Sequence, residues 1–102
     1  MKSIKFLSER ISEELEDAET YAKSALYNKH LDTEMSRMFA ELARQELNHA
    51  DILHSHAVRL IKAERDKGIE APASMQAVWD WQHEKMIDHI AKIKALLSGI
   101  NG

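Results

Sequence analysis

The sequence contains no cysteine, only one proline and only three glycines among its 102 residues. The absence of cysteine excludes disulfide bonds, thiolate metal ligands and cysteine nucleophiles. Because proline and glycine most often interrupt helices, their scarcity favours a chain that is mostly helical, with its few breakers at the joints. No stretch approaches the roughly 20 consecutive apolar residues of a membrane span, so we expect no membrane segment.

A strong charge of one sign is also missing. The net charge is -3 although 30% of the residues are charged, so the sequence lacks the basic excess of a nucleic-acid-binding protein. The first residues contain neither the sustained apolar core nor the cleavage site of a signal peptide. We therefore expect a cytoplasmic protein that does not bind nucleic acid.

The breakers divide the chain into three predicted helices in a single all-α domain. An Asn-Lys-His-Leu-Asp-Thr segment centred near His30 forms the first joint, with Asp32 or Thr33 as the helix N-cap. Gly68 is expected to end the second helix and Gly99 the third. The predicted segments are helix 1 at about 3–29, helix 2 at about 33–67, a loop at 68–73 and helix 3 at about 74–98, within a domain of residues 1–102.

Each predicted helix carries a seam, a series of mostly apolar residues spaced alternately by four and three. This spacing is typical of helices that face one another in a bundle. The seam of helix 1 is Ile4, Leu7, Ile11, Glu14, Ala18, Tyr21, Ala25 and Asn28. The seam of helix 2 is Met35, Phe39, Leu42, Glu46, His49, Leu53, His56 and Leu60. The seam of helix 3 is Trp79, His83, Met86, Ile90, Ile93, Leu97 and Ile100.

Three of these seam residues are polar where a helical core is normally apolar: Glu14, Glu46 and His49. Glu46 and His49 form an E-x-x-H motif, whose carboxylate and imidazole share one helix face. Buried charged groups are costly unless they are paired or bind a metal. Glu14 and Glu46 lie at equal distances in sequence before and after His30, so an antiparallel hairpin brings them to the same level. The sequence therefore predicts a metal site within the hairpin.

Carboxylate and imidazole ligands together suit iron, manganese or zinc. A known helical di-iron site takes one Glu from each of two helices and a Glu-x-x-His motif from each of two others. One copy of this chain supplies Glu14 from the first kind of helix and Glu46 with His49 from the second. Two copies supply the complete set, and the broad apolar stripes also favour association. We therefore expect a homodimer, or a larger homo-oligomer, that holds two metal ions per dimer.

Two segments resemble the ferritin-like di-iron carboxylate superfamily. The first, at residues 13–21, is similar to the first ligand helix, in which a Glu is followed seven residues later by a Tyr, here Glu14 and Tyr21. The second, at residues 39–51, resembles the rubrerythrin-type E-x-x-H-A helix. The resemblance covers about residues 10–62. Because the chain contains only one such half, it is most similar to the short encapsulated ferritins.

The resemblance implies a four-helix bundle completed by homodimerisation and oxidation of Fe(II) to Fe(III) by oxygen or peroxide, that is, a ferroxidase. It implies Glu14, Glu46 and His49 as ligands, with Tyr21 beside the site. Secondary candidates for metal contact, on flanking faces or on helix 3, are Glu13, Glu16 and His83. No segment after helix 3 resembles the docking peptide of encapsulated ferritins, so we do not expect an encapsulin-type shell partner.

Other interpretations remain open at the level of sequence. Glu46 and His49 can form a buried hydrogen-bonded pair in a metal-free scaffold or oligomerisation module. The same ligand set also serves peroxidase-like or catalase-like di-metal enzymes, whereas a hemerythrin-like oxygen carrier needs more histidines than the chain offers. His54 is interpreted as a surface residue. Of Trp79 and Trp81, which flank opposite faces, only one is expected in the core.

Overall fold

The computed structural model describes residues 2–68 and 72–101, and these residues form three α-helices without strands. The predicted all-α class is confirmed. The predicted loop at 68–73 falls partly on residues 69–71, which lie outside the described residues. The helices are α1 at Lys2–Asn28, α2 at Thr33–Asp66 and α3 at Ala73–Asn101.

The turn between α1 and α2 is closed by backbone and side-chain hydrogen bonds. The carbonyl of Asn28 accepts from the amides of Leu31 and Asp32, at 3.1 and 2.9 Å. The carboxylate of Asp32 then accepts from the amide of Met35 at 3.0 Å, which makes Asp32 the N-cap of α2. This bond satisfies one of the backbone donors that the first turn of a helix leaves free. The antiparallel hairpin predicted from this turn is therefore present.

The two glycines assigned to helix ends behave differently. Gly68 follows the last residues of α2 with φ of +79°, a left-handed conformation that glycine adopts without steric cost. Gly99, by contrast, does not end α3, because the helix continues to Asn101. A Cβ at Gly99 would lie 3.3 Å from Leu26 Cδ2, so this glycine lets α3 approach α1. Its carbonyl also accepts a 2.6 Å bond from Lys29 Nζ.

Small residues form the contact between α1 and α2, which is the most extensive in the molecule. Small side chains allow two helix backbones to come close, and the interior packs densely as a result. Ser36 is buried among them and donates to the carbonyl of Ala25 at 2.7 Å, so its burial leaves no unpaired hydroxyl. The buried alanines of the two helices are Ala18, Ala22, Ala25, Ala40, Ala43, Ala50 and Ala57.

The predicted seam of helix 2 is wrong as a description of the hairpin core. The buried residues of α2 belong to a neighbouring series with the same spacing, Ser36, Ala40, Ala43, Ala50 and Ala57. The large residues of the predicted seam lie beside this buried series and not in it. Met35, for example, is 42% exposed. Phe39, Leu42, Leu53 and Leu60 are only half-buried. These side chains are too bulky for the closest approach of the two helices.

Helix α3 covers one flank of the hairpin and packs mainly on α1. Ile93 and Leu97 are buried in the core, as the predicted helix 3 seam requires. Near its start, α3 also reaches His54 of α2. Of the described helices, none combines the length and the apolar character needed to cross a membrane.

Candidate metal centre

The hairpin brings Glu14, Glu46 and His49 together, at the level that the sequence predicts. Each of the three residues offers one ligand atom, and these atoms all lie within 4.8 Å of one another. His49 Nδ1 lies 3.6 Å from Glu14 Oε2 and 3.8 Å from Glu46 Oε1. The imidazole therefore presents Nδ1 to both carboxylates. Its Nε2, on the opposite side of the ring, is left for another partner.

This donor set fits a divalent transition metal ion. Nitrogen and carboxylate oxygen ligands bind such ions at about 2.0–2.2 Å, so opposite ligands of one ion lie about 4.2 Å apart. A group within 4.8 Å reaches that spacing by small side-chain movements. Two carboxylates and one imidazole are also the ligand types that iron, manganese and zinc accept.

Burial within the group is graded. The side chain of Glu14 is 12% exposed and that of Glu46 is 19% exposed, whereas His49 is 53% exposed. Glu14 lies on a different face of α1 from Glu19, which pairs with His89 of α3, because their separation is far from a whole number of helical turns. The group therefore lies on the flank of the hairpin that α3 does not cover. It is accessible to a metal ion or to a second protein chain.

Arg10 of α1 contacts this group directly. Its Nη2 donates to Glu14 Oε1 at 2.8 Å, and its Nη1 donates to Glu13 Oε2 at 2.6 Å. The two oxygens of Glu14 thus have different neighbours, Arg10 on one side and His49 on the other. The i, i+4 spacing of Arg10 and Glu14 is the sequence signal for this pair.

Tyr21 lies two turns farther along α1 and packs on Phe39 of α2. The two rings are nearly parallel, with centroids 6.2 Å apart, and both residues are half-buried against the core. This packing accounts for the position of Tyr21 on the seam. Its suggested role as a hydrogen-bonding or redox-active neighbour of the metal stays a prediction.

The three secondary candidates do not belong to the Glu14, Glu46 and His49 group. Glu13 is exposed and pairs with Arg10. Glu16 and His83 line a groove of about 400 Å³ on the flank where α3 packs. Glu16 and His83 therefore lie on the side of α1 that packs against α3, and the candidate metal centre lies on another face.

The interpretation of His54 as a surface residue is wrong. Its ring is parallel to that of His83, with centroids 5.0 Å apart, and to that of Trp79 at 6.3 Å. Its Nε2 is buried without a hydrogen-bond partner among the described residues. Burial, and then the neighbouring His83, lower the pKa of His54, although Asp51 opposes the shift. Of the two tryptophans, Trp79 is half-buried in this cluster and Trp81 is 57% exposed.

The carboxylate of Glu19 links α1 to the middle of α3 through polar contacts. Its Oε1 lies 3.0 Å from His89 Nε2 and 3.2 Å from Lys92 Nζ, and its Oε2 lies 2.9 Å from Lys23 Nζ. Hydrogen bonds from Lys23 and Lys92 lower the pKa of Glu19 to about 2. These contacts give the carboxylate of Glu19 and the ring of His89 protein partners, so neither residue needs a metal ion to account for its position.

Comparison with known proteins gives no match to a family model, to a curated protein or to a solved structure. The ferritin-like resemblance therefore rests on the residues and their arrangement alone, and it stays a prediction.

Proposed function

We propose that the protein is a ferritin-like di-metal protein that oxidises Fe(II) at a site shared between two copies of the chain. The observation that supports it most strongly is the group of Glu14, Glu46 and His49, whose ligand atoms lie within 4.8 Å of one another. These residues come from two helices and supply one Glu and one Glu-x-x-His motif, which is half of the known helical di-iron set. A second copy supplies the other half.

The surface around the group favours a second copy as the missing half. The group lies on the flank opposite α3, and apolar side chains continue along α2 on the same side. Met35 is 42% exposed and Met38 47% exposed, while Leu42 and Leu53 are half-buried. An isologous dimer applies this patch to itself. Such a dimer buries the apolar side chains and brings two ligand groups face to face.

Within that dimer, the residues of each copy have distinct tasks. Glu14 and Glu46 bind the Fe(II) substrate as anionic oxygen donors, and His49 binds through Nδ1. Their negative charge stabilises Fe(III) more than Fe(II), because the Coulomb energy grows with the charge of the cation. Two Fe(II) ions give one electron each, and O₂ takes up the pair with two protons to form hydrogen peroxide. With hydrogen peroxide as the oxidant, two Fe(II) ions supply the two electrons, two protons are taken up, the O–O bond breaks and two water molecules form.

A metal-free scaffold is the second candidate, and Arg10 favours it. Arg10 already gives Glu14 a cationic partner at 2.8 Å, and His49 Nδ1 lies 3.6 and 3.8 Å from the two carboxylates. A charged group that is hydrogen-bonded and partly solvated in this way does not require a metal. In this alternative, the apolar flank of α2 serves oligomerisation alone.

Metal content measured across a size-exclusion profile separates the two functions. The wild type and Glu46→Gln are loaded anaerobically with Fe(II), and Glu41→Gln, at an exposed position of the same helix, is the matched control. We expect about one iron per chain in a dimer or larger species, lost in Glu46→Gln and kept in Glu41→Gln. Oxygen consumption should follow the iron content. Less than one metal per chain in the wild type contradicts the proposal and favours the scaffold.

A further inference from the structure

The guanidinium of Arg10 donates hydrogen bonds to two carboxylates that differ in solvent exposure. One nitrogen donates to Glu14, which is 12% exposed, and the other donates to Glu13, which is 59% exposed. The two glutamates are adjacent in sequence, so a small rotation of the arginine side chain moves it from shared contact to contact with Glu13 alone. Arg10 is itself 43% exposed, which leaves its side chain room for that movement.

The contact with Arg10 occupies one of the two oxygens of Glu14. Oε1 accepts from Arg10 at 2.8 Å, whereas Oε2 faces His49 Nδ1 at 3.6 Å. While Arg10 stays in place, its positive charge lies at Oε1, and Oε2 is the oxygen of Glu14 that faces His49. Coordination by both oxygens, or a bridge between two ions, requires Oε1 as well.

The contact between Arg10 and Glu14 depends on the net charge of the group, and therefore on whether a metal ion is bound. Without a metal ion, Glu14 and Glu46 are two partly buried carboxylates within one small group. Among the described residues, Arg10 is the basic side chain that forms an ion pair with Glu14. Without this pair, the negative charges of Glu14 and Glu46 would repel each other more strongly. A divalent cation bound to the group would weaken the contact of Arg10 with Glu14, because it neutralises the carboxylates and repels the guanidinium.

We propose that Arg10 is a competing counter-ion of Glu14, which holds Oε1 in the metal-free protein and moves to Glu13 when Fe(II) binds. This inference rests on the proposed function and adds its regulation. Arg10 stabilises the empty centre, and its release sets the affinity for Fe(II). Glu13 is then the acceptor of the displaced arginine rather than a metal ligand.

Substitution of Arg10 distinguishes this role from a structural one, because the two measured effects have opposite signs. In Arg10→Gln, the metal-free protein should melt at a lower temperature than the wild type. Its affinity for Fe(II), titrated anaerobically, should rise about tenfold, which corresponds to one charge-assisted hydrogen bond no longer in competition. A structural residue would lower both quantities. Arg44→Gln, an exposed arginine of α2, makes the same charge change as the control.

Two further variants keep the test informative if Arg10→Gln folds poorly. Arg10→Lys retains the charge but not the two-pronged contact, and its Fe(II) affinity should fall between those of the wild type and Arg10→Gln. Glu13→Gln removes the acceptor, so Fe(II) binding should weaken in the wild-type background. The weakening should be smaller when Arg10 is also replaced, and this non-additivity measures the coupling.

The outcomes separate this inference from the proposed function. If the wild type binds Fe(II) but Arg10→Gln and Arg10→Lys bind it no more tightly, the competing role is wrong while the metal centre stands. If the wild type binds no Fe(II), the proposed function is wrong and the competing role is wrong with it. Tighter binding in Arg10→Gln, together with coupling to Glu13, supports the inference.

Discussion

Burial beside a second imidazole changes the ionisation of His54. Its pKa is lowered from the ordinary value of 6.5, mainly by desolvation and then by His83, while Asp51 acts in the opposite direction. The folded protein thus favours the neutral ring, whereas the unfolded chain takes up a proton near its ordinary pKa. Stability from this residue is complete above pH 6.5 and is lost as the pH falls through the lower folded-state pKa.

We predict that acidification weakens the contact of α3 with α2 through His54. Between about pH 7.5 and pH 5, the melting temperature of the wild type should fall by a few degrees more than that of His54→Gln, which cannot gain a proton. His30→Gln, at an exposed histidine of the first turn, should follow the wild type. Circular dichroism melts across this range measure the difference. Parallel curves for the wild type and His54→Gln would exclude the role of His54.

Glu19 is a second ionisable group that holds α3 in place, and its titration sets the lower end of the pH range in which the effect of His54 can be measured alone. The pKa of Glu19 is lowered from 4.5 to about 2 by its hydrogen bonds with Lys23 and Lys92. The contribution of Glu19 to stability is present above its ordinary pKa and is lost as the pH falls towards its lowered pKa. The attachment of α3 therefore loses the His54 contribution first and the Glu19 contribution only in stronger acid.

Individual residues also explain why part of the candidate centre could be predicted. Glu14 and Glu46 meet because they are equally distant from His30 in sequence, and a hairpin with a short turn has little freedom of register. Arg10 could not be assigned in this way, because its choice among the neighbouring glutamates depends on side-chain conformation. The burial of His54 could not be predicted from the seam of large apolar residues, because His54 belongs to a second series with the same alternating spacing, Ala43, Leu47, Ala50, His54 and Ala57.

At the scale of helices, the contact between α1 and α2 depends on small side chains. Ala43 is fully buried in α2, in the series of small residues that forms the core of the hairpin, so a larger side chain there would have to displace its neighbours. Sequence patterns give weight to large apolar residues, so the predicted seam of helix 2 followed Met35, Leu42 and Leu53 instead. Those residues indicate where α2 needs another partner, and the alanines indicate where it already has one.

We predict that Ala43→Leu destabilises the hairpin. Overpacking of a filled core costs about 1–3 kcal/mol in the free energy of unfolding, more than leucine gains from added apolar surface. Ala77→Leu, the same substitution at an exposed position of α3, is the control and should change stability by less than about 0.5 kcal/mol. Urea denaturation followed by circular dichroism gives both values. Equal stability of the two variants would show that α1 and α2 are not in close contact at Ala43.

At the scale of the molecule, the two flanks of the hairpin differ in what covers them. Helix α3 covers one flank with Ile93, Leu97 and the His54 cluster. The other flank carries the candidate metal centre and an apolar stripe that no described residue of the same chain fully buries. The uncovered flank is where the second copy of the proposed dimer would pack.

We predict that a charge on the uncovered flank prevents formation of the proposed dimer without unfolding the chain. Leu42 is half-buried beside the centre, and in Leu42→Glu each dimer would bury two carboxylates without partners, a cost of several kcal/mol per interface. Sedimentation velocity should show monomers of about 11.7 kDa with unchanged helix content. The iron per chain should fall in this variant, because each centre lacks its other half.

Two control variants separate the loss of the dimer from the loss of the metal. Val78→Glu, on α3 at 55% exposure, should leave both the mass and the iron content unchanged, because it lies away from the uncovered flank. Glu46→Gln should lose iron but remain dimeric, since it keeps the apolar contact. A wild type that is monomeric at all concentrations yet binds its full iron would contradict the shared centre, because Glu14, Glu46 and His49 would then suffice alone.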